Sequence, residues 1–344
     1  MHPAHSTMCR ILLQFILNPI TRQVVRKLIT NMPATSDNAH RVRDHARSLG
    51  FDLCGVAAAG PIDPENRLGQ WLARGFHADM DWMARTQELR QDVELKLPGA
   101  RSVVVVAKNY YQPDPPHAKG APRVARYAWG RDYHKVLKKP LKALAEFIGT
   151  LGPNVQCDVG VDSAPYLERA WAEKAGIGWV GRNSLVLNRE MGSWFFLGVL
   201  ATTLELEPDQ PLEPHCGTCR ACIDACPTGA IVEEGIVDSN RCISYQTIEN
   251  KNVLDASVAN SMKPWVFGCD ICQDVCPWNR FAQPTNEPDF AARPGVAFPD
   301  PGALSAMDEH KFIEVFGGTP VMRAKLTGMR RNLQALRELE QDSA

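Results

Sequence analysis

The chain has 344 residues, 44% of them hydrophobic, and its 38 Lys plus Arg nearly cancel 39 Asp plus Glu. That length buries a substantial core and accommodates two domains, which excludes a small scaffold held together by disulfides. The balanced charge excludes a chain-wide polybasic nucleic-acid binder, so any such surface must be local, and no apolar run approaches the roughly 18 residues of a membrane-spanning helix.

In chain order, the first distinctive stretch is the apolar run 11–17 followed by Arg22, Arg26 and Lys27. It imitates a targeting signal, but it is short, has no clean small-residue cleavage site and follows no twin-arginine pair. Residues 1–35 therefore read as a disordered extension, with translation starting at Met1 or at Met32. Residues 38–49 have helical spacing and stop at Gly50, and residues 51–56 read as a strand. Further strands are expected at 102–107, a run of four valines between polar ends, and at 195–206, with helices at 133–151 and 164–175. The sum is a layered α/β or α+β domain. Proline-rich residues 112–122 read as an exposed loop. Three prolines in 207–214 mark a domain boundary, and the tail from about 294 reads as helical, ending in one amphipathic helix over 321–339.

Two glycine and histidine patterns need structural context. Gly176-x-Gly178-x-x-Gly181 satisfies a dinucleotide-binding pattern, but it follows a helix rather than a strand, so the glycines are expected to cap that helix and turn the chain. Asp132-x-His134 opens a cobalamin lower-ligand motif, yet the glycine expected three residues after the histidine is Leu137. A cobalt-ligating His134 is not expected. Between Arg123 and Lys142 the chain carries Arg123, Arg126, Arg131, Lys135, Lys138, Lys139 and Lys142 against Asp132 alone, with Tyr127, Trp129 and Tyr133 interleaved. Such a segment suits RNA phosphates and unstacked bases, the alternative being a solvated helix face.

Eight cysteines decide the reaction class. Cys216-x2-Cys219-x2-Cys222-x3-Cys226-Pro227 matches the bacterial ferredoxin pattern, and Cys269-x2-Cys272-x3-Cys276-Pro277 repeats it with its first cysteine displaced to Cys242. In that pattern the cysteine before proline serves the other cluster. One 4Fe-4S cluster is therefore expected on Cys216, Cys219, Cys222 and Cys276, and a second on Cys226, Cys242, Cys269 and Cys272. Disulfides and structural zinc fit the spacing less well. Cys9, Cys54 and Cys157 stand outside any spacing and read as small buried hydrophobes. One-electron chemistry in a reducing compartment follows, hence the cytoplasm.

Several further segments appear together: Met80-Asp81-Trp82-Met83-Ala84-Arg85, Arg126 through Lys135, Val161-Asp162-Ser163-Ala164-Pro165-Tyr166-Leu167-Glu168-Arg169, Gly192-Ser193-Trp194-Phe195-Phe196-Leu197-Gly198, Arg241-Cys242-Ile243-Ser244-Tyr245 and Cys276-Pro277-Trp278-Asn279-Arg280. In order and identity they resemble the epoxyqueuosine reductase family. The resemblance implies an enzyme that reduces epoxyqueuosine to queuosine at the wobble position of tRNA with cobalamin and two 4Fe-4S clusters. It implies an α+β fold: a nitroreductase-like cobalamin-binding α/β core (36–206), a ferredoxin-like two-cluster domain (207–293) and a short helical C-terminus (294–344). It also implies a tRNA partner and an external electron donor such as flavodoxin or ferredoxin, with no membrane and a monomeric chain.

The resemblance makes Asp162 the proton donor and a cobalamin contact, with a carboxyl held neutral by corrin and apolar neighbours such as Trp179; an aspartate capping the helix from Ala164 is the plain alternative. Arg85 is carried over as a cobalamin contact, Asn183, Ser184 and Ser244 by motif position, and Arg131, Lys135, Lys138 and Lys139 as tRNA contacts. Asp132 is a weaker acid candidate. A cytoplasmic corrinoid reductive dehalogenase and an electron-transfer ferredoxin are the competing functions.

Overall fold

The computed structural model describes residues 34–341, and the expectations for residues 1–33, the choice between Met1 and Met32 and the environment of Cys9 lie outside them. Residues 34 and 35, assigned to the extension, open the first helix, α1 (Ala34–Ser48). Ala39, Val42 and Ala46 are fully buried at spacings of three and four, which gives α1 one apolar stripe. Gly50 then takes φ +89° and turns the chain into β1 (Leu53–Ala58).

β1 pairs antiparallel with β2 (Ser102–Asn109), placing Leu53 opposite Ala107. The sheet is completed by β3 (Cys157–Gly160) and β4 (Phe195–Thr202), in the order β1-β2-β4-β3 with every pairing antiparallel. The unbroken valine run of β2 has a simple cause. Val104 and Val106 enter one apolar core with α1, whereas Val103 and Val105 enter another on the opposite face, so neither face meets water.

Helix α2 (Tyr133–Gly149) covers the first face with Leu137, Leu141, Leu144 and Ile148. Leu141 sits over Gly198 of β4, where an added Cβ would come within 3.2 Å of it. The second face is covered by α3 (Glu168–Lys174) through Trp171 and Ala172. This helix starts four residues later than the sequence suggests, because residues 161–166 form two tight turns instead: Ser163 N–H donates to the Val161 carbonyl (2.6 Å) and Tyr166 N–H to that of Ala164 (2.8 Å). Gly176, at φ +68°, ends α3, and Gly178 packs where a Cβ would lie 2.1 Å from the Leu187 carbonyl oxygen. The glycine pattern is a helix stop and a close approach, as expected.

A third core joins the remaining parts. Val124, Ala128 and Trp129 pack with Ile243, Trp265 and Phe267, and with Phe312, Phe316, Met329 and Leu333 from the C-terminal helices. Residues Trp265–Phe267 also pair in parallel with Arg123–Val124. The expected single tail helix is divided: a 3-10 turn (Pro320–Arg323) precedes α4 (Lys325–Gln341), whose first residue, Lys325, has φ +61°. Asn332 of α4 is fully buried and donates to the carbonyls of Thr247 and Val266, both at 2.9 Å. Among the described residues no helix is long and apolar enough to cross a membrane.

Because Leu141 fills the gap above Gly198, Leu141→Ala should lower the unfolding free energy by about 2–5 kcal/mol. A shift in the urea midpoint of the full chain measures it.

Candidate functional site

Two short helices, Ala221–Asp224 and Ile271–Asp274, lie within the cysteine runs and pack on one another. Their contact carries each pre-proline cysteine to the other run. Burial raises the Cys222 thiol, and so do the neighbouring thiols of Cys276 and Cys216. Cys276 is likewise raised by burial and then by Cys216 and Cys219. In the second group, burial raises Cys242 with a contribution from Cys226, and raises Cys269 with contributions from Cys272 and Cys242. Cys272 responds to burial and then to Cys242 and, further down, to Cys222 and Cys226, so the two groups adjoin.

Cys216, Cys219, Cys222 and Cys276 line a cavity of about 260 Å³ together with Asn183 and Trp278. Among the described residues no three or more His, Cys, Asp or Glu side chains converge to hold a single ion. Four thiols around a cavity suit a polynuclear cluster better. Backbone amides are also turned toward sulfur: Ala230 N–H reaches Cys226 Sγ at 3.3 Å, and the amides of Tyr245 and Ser244 lower the Cys242 thiol against its burial. Such donors favour thiolate, the form that binds iron. Trp179 packs edge-on against His215 and Trp278, and its indole N–H is buried without a partner. The residues present fit two clusters.

Trp179 was expected beside Asp162 and is instead part of this cluster-side aromatic group. The surroundings of Asp162 are different. Its Oδ2 accepts from Tyr133 Oη (2.6 Å) and faces His134 Nε2 (3.2 Å), while His134 Nδ1 faces Asp132 Oδ1 (2.7 Å). Asp132 also caps α2 by accepting from the His134 amide at 3.0 Å. With both ring nitrogens engaged, His134 is not a free metal ligand, in line with its broken motif. Asp162 does not cap α3, whose N-cap position is Leu167 without a side-chain bond. Its backbone is left-handed, φ +52°, and its N–H donates to Glu168 Oε1 at 2.5 Å.

The Asp162 side chain is 59% accessible, yet enough protein surrounds it that desolvation by itself would raise the carboxyl. Hydrogen bonds from His134 and Tyr133 outweigh desolvation and hold the Asp162 carboxyl below its usual range. In the chain by itself these bonds favour the carboxylate form of Asp162. Burial opposes charge on His134, but its bonds to Asp132 and Asp162 raise it to about 9. Glu168 is raised to about 8 by burial and then by Asp162. Tyr133 is raised by burial and then by Asp162. Arg323 is raised first by its hydrogen bond to Glu249 and also senses Asp162.

Arg323 lies over the ring of Trp82 (5.6 Å), a residue of the short helix Asp81–Arg85, and the exposed Arg85 side chain makes no ion pair or hydrogen bond among the described residues. Asn183 donates to the Cys272 carbonyl (3.3 Å), whereas Ser184, at φ +66°, accepts from Arg169 at 2.7 Å. Adjacent residues thus touch the cluster loop and the Asp162 surroundings. Ser244 directs its amide to Cys242 and so sits with the second thiol group. Sequence reasoning missed Tyr133, His134, Glu168, Arg169 and Arg323 as site residues. The first four stand inside the distinctive segments, and their polar character beside Asp162 was the available signal.

The basic segment is smaller than its composition suggests. Lys135, Lys138, Lys139 and Lys142 are exposed on α2, and Arg131 pairs with Asp289 at 2.8 Å. Arg126 is buried, held by Asp114 (2.6 Å) and Asp274 (3.2 Å), and Arg123 also pairs with Asp114 (2.8 Å). Trp129 is a core residue and Tyr133 stacks on Phe196, so these rings do not accompany the lysines.

A family model described as a 4Fe-4S double cluster binding domain matches residues 215–279, and one described as epoxyqueuosine reductase QueG, DUF1730 matches residues 90–163. An epoxyqueuosine reductase of Synechocystis sp. is 48% identical over 276 residues, spanning 78% of this chain and 93% of that protein. The crystal structure of an epoxyqueuosine reductase with an epoxyqueuosine-modified tRNA-Tyr stem loop is similar at TM-score 0.80 and 30% identity, covering 88% of this chain and 82% of its own. The Bacillus subtilis epoxyqueuosine reductase, seen with its catalytic aspartate loop swung out of the active site, is similar at TM-score 0.79 and 30% identity over 88% and 82% of the two chains.

The arrangement of His134 between two carboxylates has a measurable consequence. Its ring should remain protonated through neutral pH and titrate near 9 by NMR, and Asp132→Asn should move that midpoint down. Since the folded value lies above the unfolded one of about 6.5, the contribution to stability is complete below about 6.5 and is lost as pH rises through about 9.

Proposed function

The chain belongs to the epoxyqueuosine reductase family, and we propose that it reduces epoxyqueuosine in tRNA to queuosine, with Asp162 at the reacting centre. The observation that carries this reading is the accessible Asp162 carboxylate bonded to two proton-bearing groups, Tyr133 and His134, with its neighbour Arg169 held by Ser184 next to Asn183, which lines the cavity of four thiols. Converting an epoxide to an alkene takes two electrons and two protons and releases water. When bound, cobalamin supplies a reduced cobalt able to open the epoxide, and two 4Fe-4S clusters supply electrons singly.

This chain's residues supply the rest. Cys216, Cys219, Cys222 and Cys276 hold one cluster, and Cys226, Cys242, Cys269 and Cys272 the other. Asp162, Arg85 and Ser184 contact cobalamin, with Asn183 and Ser244 near the clusters that serve it. The unpaired guanidinium of Arg85 suits polar corrin side chains or phosphate. Covering Asp162 removes water from its carboxyl, which raises its proton affinity. A proton then passes from His134, charged at neutral pH, through Asp162 Oδ2 to the departing oxygen.

The catalytic aspartate loop of the Bacillus subtilis relative supports this role for the Asp162 turn. The same reading assigns 36–206 to a nitroreductase-like cobalamin domain, 207–293 to a ferredoxin-like domain and 294–344 to a helical end. It places a monomeric chain in the cytoplasm, reduced by an external carrier such as flavodoxin or ferredoxin.

The tRNA meets the outer face of α2, where Lys135, Lys138 and Lys139 are exposed beside Arg131, and whose N-terminus carries Tyr133 and His134. Anaerobic reconstitution with iron, sulfide and cobalamin, followed by turnover of epoxyqueuosine-containing tRNA, tests the reading: wild type converts the base and Asp162→Asn loses at least about 100-fold in kcat. Full activity in that variant would remove Asp162 from proton transfer. Lys138→Glu with Lys139→Glu should weaken tRNA binding and reduce its log-log salt slope by roughly one per lysine, measured by fluorescence anisotropy.

A further inference from the structure

We propose that Glu168 is the positioning residue that holds Asp162 in its left-handed turn, an inference that rests on the role of Asp162 given above. Ser163 N–H closes a three-residue turn on the Val161 carbonyl at 2.6 Å, with Asp162 at its centre at φ +52°. A γ-turn of positive φ is rare and strained, and a non-glycine residue keeps it only where its surroundings impose it. Three bonds do so here. Tyr133 and His134 hold the carboxylate, and Glu168 Oε1 accepts the Asp162 backbone N–H at 2.5 Å.

The first two bonds act on the side chain alone. A carboxylate tethered at its tip can remain near Tyr133 while the backbone relaxes to an ordinary conformation, which would tilt the group away from the space above it. The Glu168 bond acts on the backbone and removes that freedom.

Glu168 is the first residue of α3, where an acidic side chain ordinarily favours the helix dipole. Its hydrogen bond goes elsewhere, back across six residues to the turn. The nearby guanidiniums do not compete for it: Arg169 donates to the Ser184 carbonyl and hydroxyl, and Arg90 to the Tyr166 carbonyl and the Thr86 hydroxyl. The bond needs an acceptor, not a charge. A glutamine offers the same acceptor in the same shape, whereas alanine offers none.

The experiment compares Glu168→Ala, Glu168→Gln and wild type as full-length reconstituted chains. Hydrogen–deuterium exchange of residues 161–166 should accelerate in Glu168→Ala and match wild type in Glu168→Gln. Turnover of modified tRNA should show kcat down about 100-fold in the alanine variant, the cost of a misplaced catalytic group. KM, iron and cobalamin contents should be unchanged, and the glutamine variant should retain kcat. Unchanged exchange in Glu168→Ala would overturn the proposal, as would equal loss of kcat in both variants, which would mean that charge on α3 is what matters. If exchange behaves as expected but wild type fails to convert the modified base, the positioning role stands and the assigned reaction fails.

Discussion

Negative charge gathered in one place must be matched by something positive close by, and this chain is organised around three such matches. Arg126 is buried among Asp114, Asp270 and Asp274, with its guanidinium also 4.5 Å from the Trp194 ring centre. Asp270 follows Cys269 directly, and burial raises it to about 7 even with Arg126 beside it. The loop at 112–114, the strand ending at Val124 and the second thiol group are thereby tied to one cation. Removing Arg126 alone would leave three carboxylates crowded together, a change of the kind that costs about 3–5 kcal/mol for a single buried partner.

The second match is His134 between Asp132 and Asp162. Here the cation can give up its proton, which Arg126 cannot do under any ordinary condition. The difference in residue type separates a structural junction from a chemical one. The third match concerns the thiols. Burial and mutual proximity raise Cys222, Cys276, Cys242, Cys269 and Cys272 together, so the protein alone disfavours the thiolates that its backbone amides are turned toward. Iron resolves that conflict, and the folded arrangement makes sense with it in place.

How far the sequence revealed these features depended on the range of the interaction. Helix α2 was readable in type and starting point because Asp132 caps it locally and Leu137, Leu141, Leu144 and Ile148 repeat at helical spacing. The valines of β2 were readable as a strand, though their double burial becomes intelligible only with α1 and α3 on opposite faces. The start of α3 was misplaced because Ala164-Pro165 looks like a helix opening, while the hydrogen bonds of the 161–166 turns leave no signature of their own. The break before α4 rests on Lys325 at φ +61°, where no glycine announces it. At the site, Asp162 was legible through the segment around it. The hydrogen bonds that lower its carboxyl were not, since they depend on Tyr133 and His134 arriving from another element, and Arg126 could not be told from its exposed neighbours until its three carboxylates were in place.

The placement of α2 explains how distant requirements are met by one element. Its inner face is fixed to the sheet by four aliphatic side chains, so neither its axis nor its N-terminus can shift without opening the core. The rigid end carries the capping aspartate, Tyr133 and His134, which set the charge of Asp162; the outer face carries the exposed lysines. On the other side of Asp162, Arg169 reaches Ser184, and Asn183 reaches the Cys272 carbonyl. Asp162 therefore stands between an element locked to the sheet and a turn locked to the cluster loops. On the proposed reading, in which Asp162 exchanges protons with one side and acts beside an electron source on the other, it needs to be held from both. The tight left-handed turn between β3 and α3 presents the carboxyl at that junction, which an extended residue or a helix cap at the same point would not do.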